Sequence, residues 1–167
     1  WQEAFFTAAI VRDKAAMDSL VKFPVSLMRQ CSSKNPEAEY LLTELLQSIH
    51  RRDPHEQFMA HLKKVMQQVT EDGKKEPWVE YGTGAKLDFI IAFITNNETS
   101  PSEGLASALT EYWHYCERHC DLEGYSQPAF YMPIALLGLA CMARDNGAEL
   151  SVQSDFIPQF YIDGDYL

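Results

Sequence analysis

Apolar side chains recur along this chain at spacings of three and four, the period of an amphipathic helix. From Trp1 to Val21 the set Phe6, Ile10, Met17 and Leu20 predicts one helix. Lys22-Phe23-Pro24 ends it, because the residue before a proline is pushed out of the α region. Pro24 then starts a short helix reaching to about Gln30. Asn35-Pro36-Glu37 has the order of an N-cap, a first-turn proline and an acidic first turn, and it heads the stripe Leu41, Leu42, Leu45, Leu46 and Ile49. Asp53-Pro54 repeats that start signal ahead of Phe58, Leu62, Val65, Met66 and Val69, which end before Asp72-Gly73. So short a link makes these two helices an antiparallel hairpin.

Beyond a polar loop, Tyr81-Gly82-Thr83-Gly84 reads as a bend, and Leu87, Ile90, Ile91 and Ile94 form the next helix, which stops in the turn-rich stretch from Asn96 to Pro101. Ser100-Pro101-Ser102-Glu103 is a capping box with proline at the first helical position. It leads a stripe of Leu105, Leu109, Tyr112, Cys116 and Cys120, giving a second hairpin. Gly124 to Pro128 breaks the chain again. Met132 to Ala143 is apolar on nearly every face, as a helix buried all round must be, and Gly147 stands where a left-handed C-terminal residue belongs. The tail alternates weakly at Leu150-Ser151-Val152, the single short extended piece expected, and ends in the aromatic, acidic segment from Phe156 to Tyr166. The pattern therefore predicts an all-α single domain over residues 1–167, with about six or seven antiparallel helices in stacked hairpins and one central buried helix.

Composition narrows the class. With 167 residues, 46% of them hydrophobic, the chain can bury a core that needs no disulfide or metal staple. Its longest apolar run, Met132 to Ala143, holds a proline and a glycine and falls short of the roughly 20 residues that span a bilayer. The chain opens at Trp1 without an initiator Met, which points to upstream residues lost or removed and leaves a cleaved signal peptide open. The net charge of −10 is unevenly placed: residues 98–167 carry only Arg118 and Arg144 against 11 acids. A field of that sign repels nucleic acid and anionic membranes and speeds association with a basic protein partner, although solubility alone is a sufficient reason for it. The four cysteines, Cys31, Cys116, Cys120 and Cys141, are too few for a disulfide framework and favour reduced thiols in a cytoplasmic setting.

Few residue groups suggest chemistry. His114, Cys116, His119 and Cys120 are the densest set of metal-ligand types, and 116, 119 and 120 share a helix face, but their spacing matches no standard zinc pattern. Because the two cysteines continue an apolar stripe, they are better read as small core hydrophobes. Gly82-Thr83-Gly84-Ala85-Lys86 is a weak candidate for a phosphate cradle and a stronger one for a helix-entry bend. His55 and His61 fall on different helix faces and make no zinc pair. Asp163-Gly164-Asp165 lacks the other positions of a calcium loop. No cofactor is implied and no nucleophile, base or paired carboxylate stands out. Asp13, inside the first apolar stripe, calls for an ion pair or a helix to cap. The tail aromatics interleaved with acids have the composition of an interaction patch, or of a tail packed onto the core.

Two segments together resemble a known family. Ala8-Ala-Ile-Val-Arg12-Asp13, continuing through Leu20 to Phe23-Pro24-Val-Ser-Leu27-Met-Arg29, is similar to the opening of the immunity protein 49 family from bacterial polymorphic toxin systems. Leu139-Ala-Cys-Met-Ala-Arg144-Asp145-Asn-Gly147, with Val152-Gln-Ser154-Asp155-Phe156-Ile157-Pro158, resembles that family's close. The two matches bracket nearly the whole chain, while the middle agrees in helical layout. The resemblance implies an all-α protein, not an enzyme, that binds and inhibits a cognate secreted effector encoded by an adjacent gene, and it carries over no active site.

The acidic half adds the expectation of a cationic toxin such as a nuclease. Glu117, Asp121, Glu123, Asp155, Asp163 and Asp165 are then the steering charges, with Tyr125, Phe160, Tyr161 and Tyr166 as desolvated anchors. The expected setting is the bacterial cytoplasm, with the periplasm left open, and no nucleic acid or membrane partner. Two other classes compete: a helical scaffold or adaptor with no toxin partner, and a metal-dependent enzyme built on the His114 to Cys120 cluster.

Overall fold

The computed structural model describes residues 1–31, 35–76, 78–95, 99–119 and 132–165, and is all-α. Among the described residues there are nine α-helices and one π-helical turn: α1 (Gln2–Ile10), α2 (Lys14–Leu20), α3 (Val25–Met28), α4 (Glu37–Arg51), α5 (His55–Gly73), the π turn Glu80–Gly84, α6 (Ala85–Ile94), α7 (Pro101–His119), α8 (Ile134–Asp145) and α9 (Gln159–Asp163). No strand occurs among them, so the extended piece expected at Leu150-Ser151-Val152 does not pair. Instead the tail is held by side chains: Ser102 Oγ donates to the Glu149 carbonyl (3.2 Å) and accepts from Ser151 N (2.9 Å).

The count exceeds the expected six or seven for two reasons. The helix predicted over Trp1 to Val21 is two, broken where Arg12 takes a left-handed backbone (φ 53) and Asp13 caps α2 by accepting from Ala16 N at 2.9 Å. An aspartate caps a helix better than it continues one, so the carboxylate is satisfied at the break while Met17 keeps the apolar stripe in the core. The tail contributes the other, α9, ended by Gly164 at φ 77.

Helices α4 and α5 form the expected hairpin, turned at Arg52 (φ 56). Pro36 and Pro54 themselves stand just before the two helices, in extended backbone. The first turn of α4 is capped from across the hairpin, because α5 runs through Asp72 rather than stopping short of it. Asp72 Oδ2 accepts from Ala38 N (2.8 Å) and Oδ1 from Gln68 Nε2 (2.8 Å), which explains a buried aspartate.

The expected bend at Tyr81 to Gly84 is a π turn continuous with α6. It aims Thr83 and Lys86 at one carboxylate: Thr83 Oγ1 donates to Glu39 Oε1, and Lys86 Nζ lies 3.3 Å from the same oxygen and 3.2 Å from Gln2 Oε1. Lys86 therefore ties α1, α4 and α6 together, which is incompatible with the phosphate-cradle reading of this glycine pair.

The second hairpin, α6 with α7, starts at the predicted capping box. Ser100 N and Oγ both donate to Glu103 Oε2 (2.9 and 2.8 Å), and Glu103 N donates to Ser100 Oγ (3.2 Å). Its close crossing depends on Gly104, where a Cβ would come within 2.4 Å of the Ala92 methyl.

Helix α8 is the central buried helix, with Leu137, Leu139, Ala140, Cys141 and Ala143 fully enclosed. It packs chiefly on α1, and Gly138 admits the Phe6 side chain. Gly147 (φ 89) closes it as predicted, with Gly147 N donating to Arg144 O (2.9 Å) and Ala148 N to Ala143 O (3.0 Å), the paired bonds of a Schellman end. One apolar cluster collects side chains from every helix except α3.

Candidate interaction face

Helix α7 buries Leu105, Ala108, Leu109 and Cys116 against the core, so Trp113, between the last two, points outward and is 45% exposed. The tail comes back beside it. Ile157 is wholly buried and pins the segment, leaving Phe156 to pack edge-on to Tyr112 (5.9 Å between rings) and against Trp113 (5.6 Å). Trp113, Asp155, Phe156 and Gln159 line an open cleft of about 670 Å³ between α7 and the tail.

The next turn is α9. Phe160 is 47% exposed with its ring 4.2 Å from that of half-buried Tyr161, while Ile162 anchors the helix in the core. Asp163 is engaged within the fold, facing Arg144 Nε at 3.5 Å and accepting from Gln159 Nε2 at 2.9 Å. Asp155 and Asp165 are exposed, and so is Glu117, one turn beyond Trp113, with His114 Nδ1 at 3.3 Å. Helix α7 and the tail thus bring Glu117, Asp155, Phe160 and Tyr161 onto neighbouring elements. Asp121, Glu123, Tyr125 and Tyr166 lie outside the described residues.

Trp113 and Phe156 belong to this face and were not singled out as anchors from sequence. The signal for Trp113 was present: a tryptophan next to stripe residue Tyr112, one step off the apolar face.

The tail is fixed by Arg12. Its side chain is only 11% exposed, and its guanidinium donates to the carbonyls of Tyr161 and Ile162, the latter at 2.7 Å, while Nε faces Asp145 Oδ2 at 3.3 Å. Cys141 completes this corner, its Sγ 3.4 Å from Tyr161 O, and burial raises the thiol to about 11 against the opposing pull of Arg12. At the other possible site, Cys116 is buried and His114 is exposed with Glu117, while Cys120 lies outside the described residues. No group of three metal-ligand side chains occurs among the described residues.

The model of the immunity protein 49 family matches residues 1–161. The chain belongs to that family. No curated protein and no solved structure matches it significantly. Membership in the immunity protein 49 family implies an immunity protein with a cognate toxin as its partner, and it suggests a non-enzyme. In this member Arg12 and Asp145, each from one of the two terminal segments that carried the resemblance, are in direct contact.

Proposed function

We propose that this immunity protein neutralises a cationic toxin, such as a nuclease, by binding it in the cytoplasm of the producing cell through the face formed by α7 and the tail. The observation that carries the reading is an open cleft lined by exposed Trp113 and Asp155, with exposed Glu117 one turn further along α7 and exposed Phe160 on α9, the next turn of the tail. Aromatic rings supply area that can be dried at the centre of an interface, and acids at its edge draw in a basic partner. Residues 98–167, to which this face belongs, hold two basic side chains against 11 acids, so the attraction acts over the whole approach rather than at one contact.

Co-expression of the neighbouring toxin gene tests it. The wild-type chain should rescue growth, and purified complex formation should weaken steeply between low and high salt. A toxin inhibited with no salt dependence, or one of net negative charge, would refute the cationic assignment.

A further inference from the structure

We infer that a second cleft, between the α1–α2 corner and the α4–α5 turn, receives an acidic, apolar-flanked segment of the toxin. The inference rests on this chain binding a toxin, but not on the α7 and tail face. The cleft measures about 680 Å³. Its floor is apolar, with Met17, Phe58 and Met142 almost wholly buried, whereas Lys14, Arg52 and His55 stand exposed around it.

The acids of this cleft are already engaged. Asp18 faces His50 at 2.7 Å, Asp53 faces Arg51 at 2.8 Å, and Asp145 faces Arg12 at 3.3 Å. The side chains of Lys14, Arg52 and His55 have no hydrogen-bond or ion-pair partner among the described residues. What meets an incoming group is therefore a set of uncommitted donors over an apolar floor.

Arg52 decides the matter. It ends α4 at φ 56 and ψ 47, a left-handed position that favours glycine because a Cβ crowds the following carbonyl. Arg12, the other left-handed arginine, uses its side chain inside the fold. Arg52 does not: its guanidinium is exposed and makes no hydrogen bond or ion pair, so no contact within the fold accounts for an arginine at this strained position. A carboxylate brought by a partner would use it, in the forked geometry that guanidinium and carboxylate share. A small-molecule site encloses its ligand with polar groups turned inward, whereas an apolar centre inside a charged rim, whose acids face partners in the fold while Lys14 and Arg52 face none, has the plan of a protein interface.

The test uses the full chain and the purified product of the neighbouring toxin gene. Arg52→Gly removes the guanidinium and relieves the left-handed backbone, so its thermal midpoint should stay level or rise while toxin affinity falls about tenfold. Lys14→Gln should add to that loss, and Arg52→Glu should bind more weakly than Arg52→Gly because it sets like charges together. Affinity within twofold of wild type for the Lys14→Gln, Arg52→Gly double variant overturns the inference, as does equal binding by Arg52→Gly and Arg52→Glu. A parallel Glu117→Lys, Asp155→Lys variant separates the two faces. If only that pair weakens binding, the α7 and tail face stands and this cleft is unused; if only the Arg52 and Lys14 variants weaken it, the reverse holds. Absence of any binding by wild type overturns both.

Discussion

The guanidinium of Arg12 reaches Asp145 across 133 positions of sequence, with Nε 3.3 Å from Oδ2, and in the same pose donates to two carbonyls of α9. One side chain thus holds the end of α1, the end of α8 and the tail at a single point. The left-handed backbone at Arg12 serves this clasp, since it turns the side chain back over the end of the helix that precedes it.

Removing the clasp should cost more than removing its acid. Arg12→Met leaves two tail carbonyls and a carboxylate without their charged donor and is expected to lower unfolding free energy by about 2–3 kcal/mol. Asp145 is 46% exposed, so Asp145→Asn should cost under about 1 kcal/mol. Urea unfolding of the two variants checks this, and equal losses would show that the carbonyl contacts contribute nothing.

Two glycines permit close helix crossings. A Cβ at Gly138 would stand 2.7 Å from Phe6 Cβ and 3.0 Å from Phe6 Cα, where backbone as well as side chain must yield. Gly138→Ala should therefore destabilise by about 1–3 kcal/mol despite alanine's helix preference of roughly 1 kcal/mol. Gly82→Ala, which meets only Trp78 ring atoms at 3.7 Å or more, should be neutral or mildly stabilising. Thermal melts that rank the two the other way would mean the α1–α8 contact is looser than described.

Native-state thiol labelling should separate the cysteines by burial. Cys31 is exposed and should react within the time of a free thiol, whereas Cys116 and Cys141 are buried and should react only as the fold opens. Cys141 has the further brake of a thiol raised to about 11, which leaves little thiolate at neutral pH. Mass spectrometry of a timed labelling series reads each site, and early modification of Cys141 would contradict its place under Arg12.

Two aspartates should tune stability with opposite pH dependence. Arg51 lowers the Asp53 carboxyl below its ordinary range, so its contribution is present at neutral pH and lost as pH falls through the folded value. Asp88 is raised, first by partial desolvation and then by Glu111, so the folded state gains on acidification as that carboxylate protonates. Asp53→Asn should lower the midpoint at pH 7 and Asp88→Asn should raise it, with both differences shrinking toward about pH 3. Melting curves at several pH values check the signs, and parallel shifts in one direction would rule out the pairings.

Local signals gave most of the fold, because helix stripes, prolines and the Ser100 to Glu103 box act over a few residues. The break after Ile10 was harder to see: Met17 continues the stripe of Phe6 and Ile10 across it, and only the capping ability of Asp13 hints at a restart. The π turn was hidden because glycines suggest bends, whereas here the decisive partner, Glu39, is 44 positions away from Thr83. On the candidate face, exposure of Phe160 and engagement of Asp163 by Arg144 depend on how α9 settles on α8, which no local pattern encodes.

Steering and anchoring on the α7 and tail face should separate in kinetics. Glu117 and Asp155 are exposed, Asp155 on the lining of the aromatic cleft and Glu117 one turn along α7 from Trp113, so reversing both to Lys should slow association with a cationic toxin severalfold and flatten its salt dependence, leaving dissociation nearly unchanged. Trp113 and Phe160 present large exposed rings that only a partner can dry; Trp113→Ala or Phe160→Ala should speed dissociation by an amount worth about 2 kcal/mol or more if either is a hot spot. Tyr161→Ala tests placement rather than contact, because its carbonyl already receives Arg12 and its ring supports Phe160, so its effect on dissociation should follow that of Phe160→Ala. Stopped-flow binding across a salt series distinguishes these classes. If the charge reversals leave association untouched and both aromatic truncations leave dissociation untouched, the toxin docks elsewhere and the aromatics serve only to seat the tail on α7.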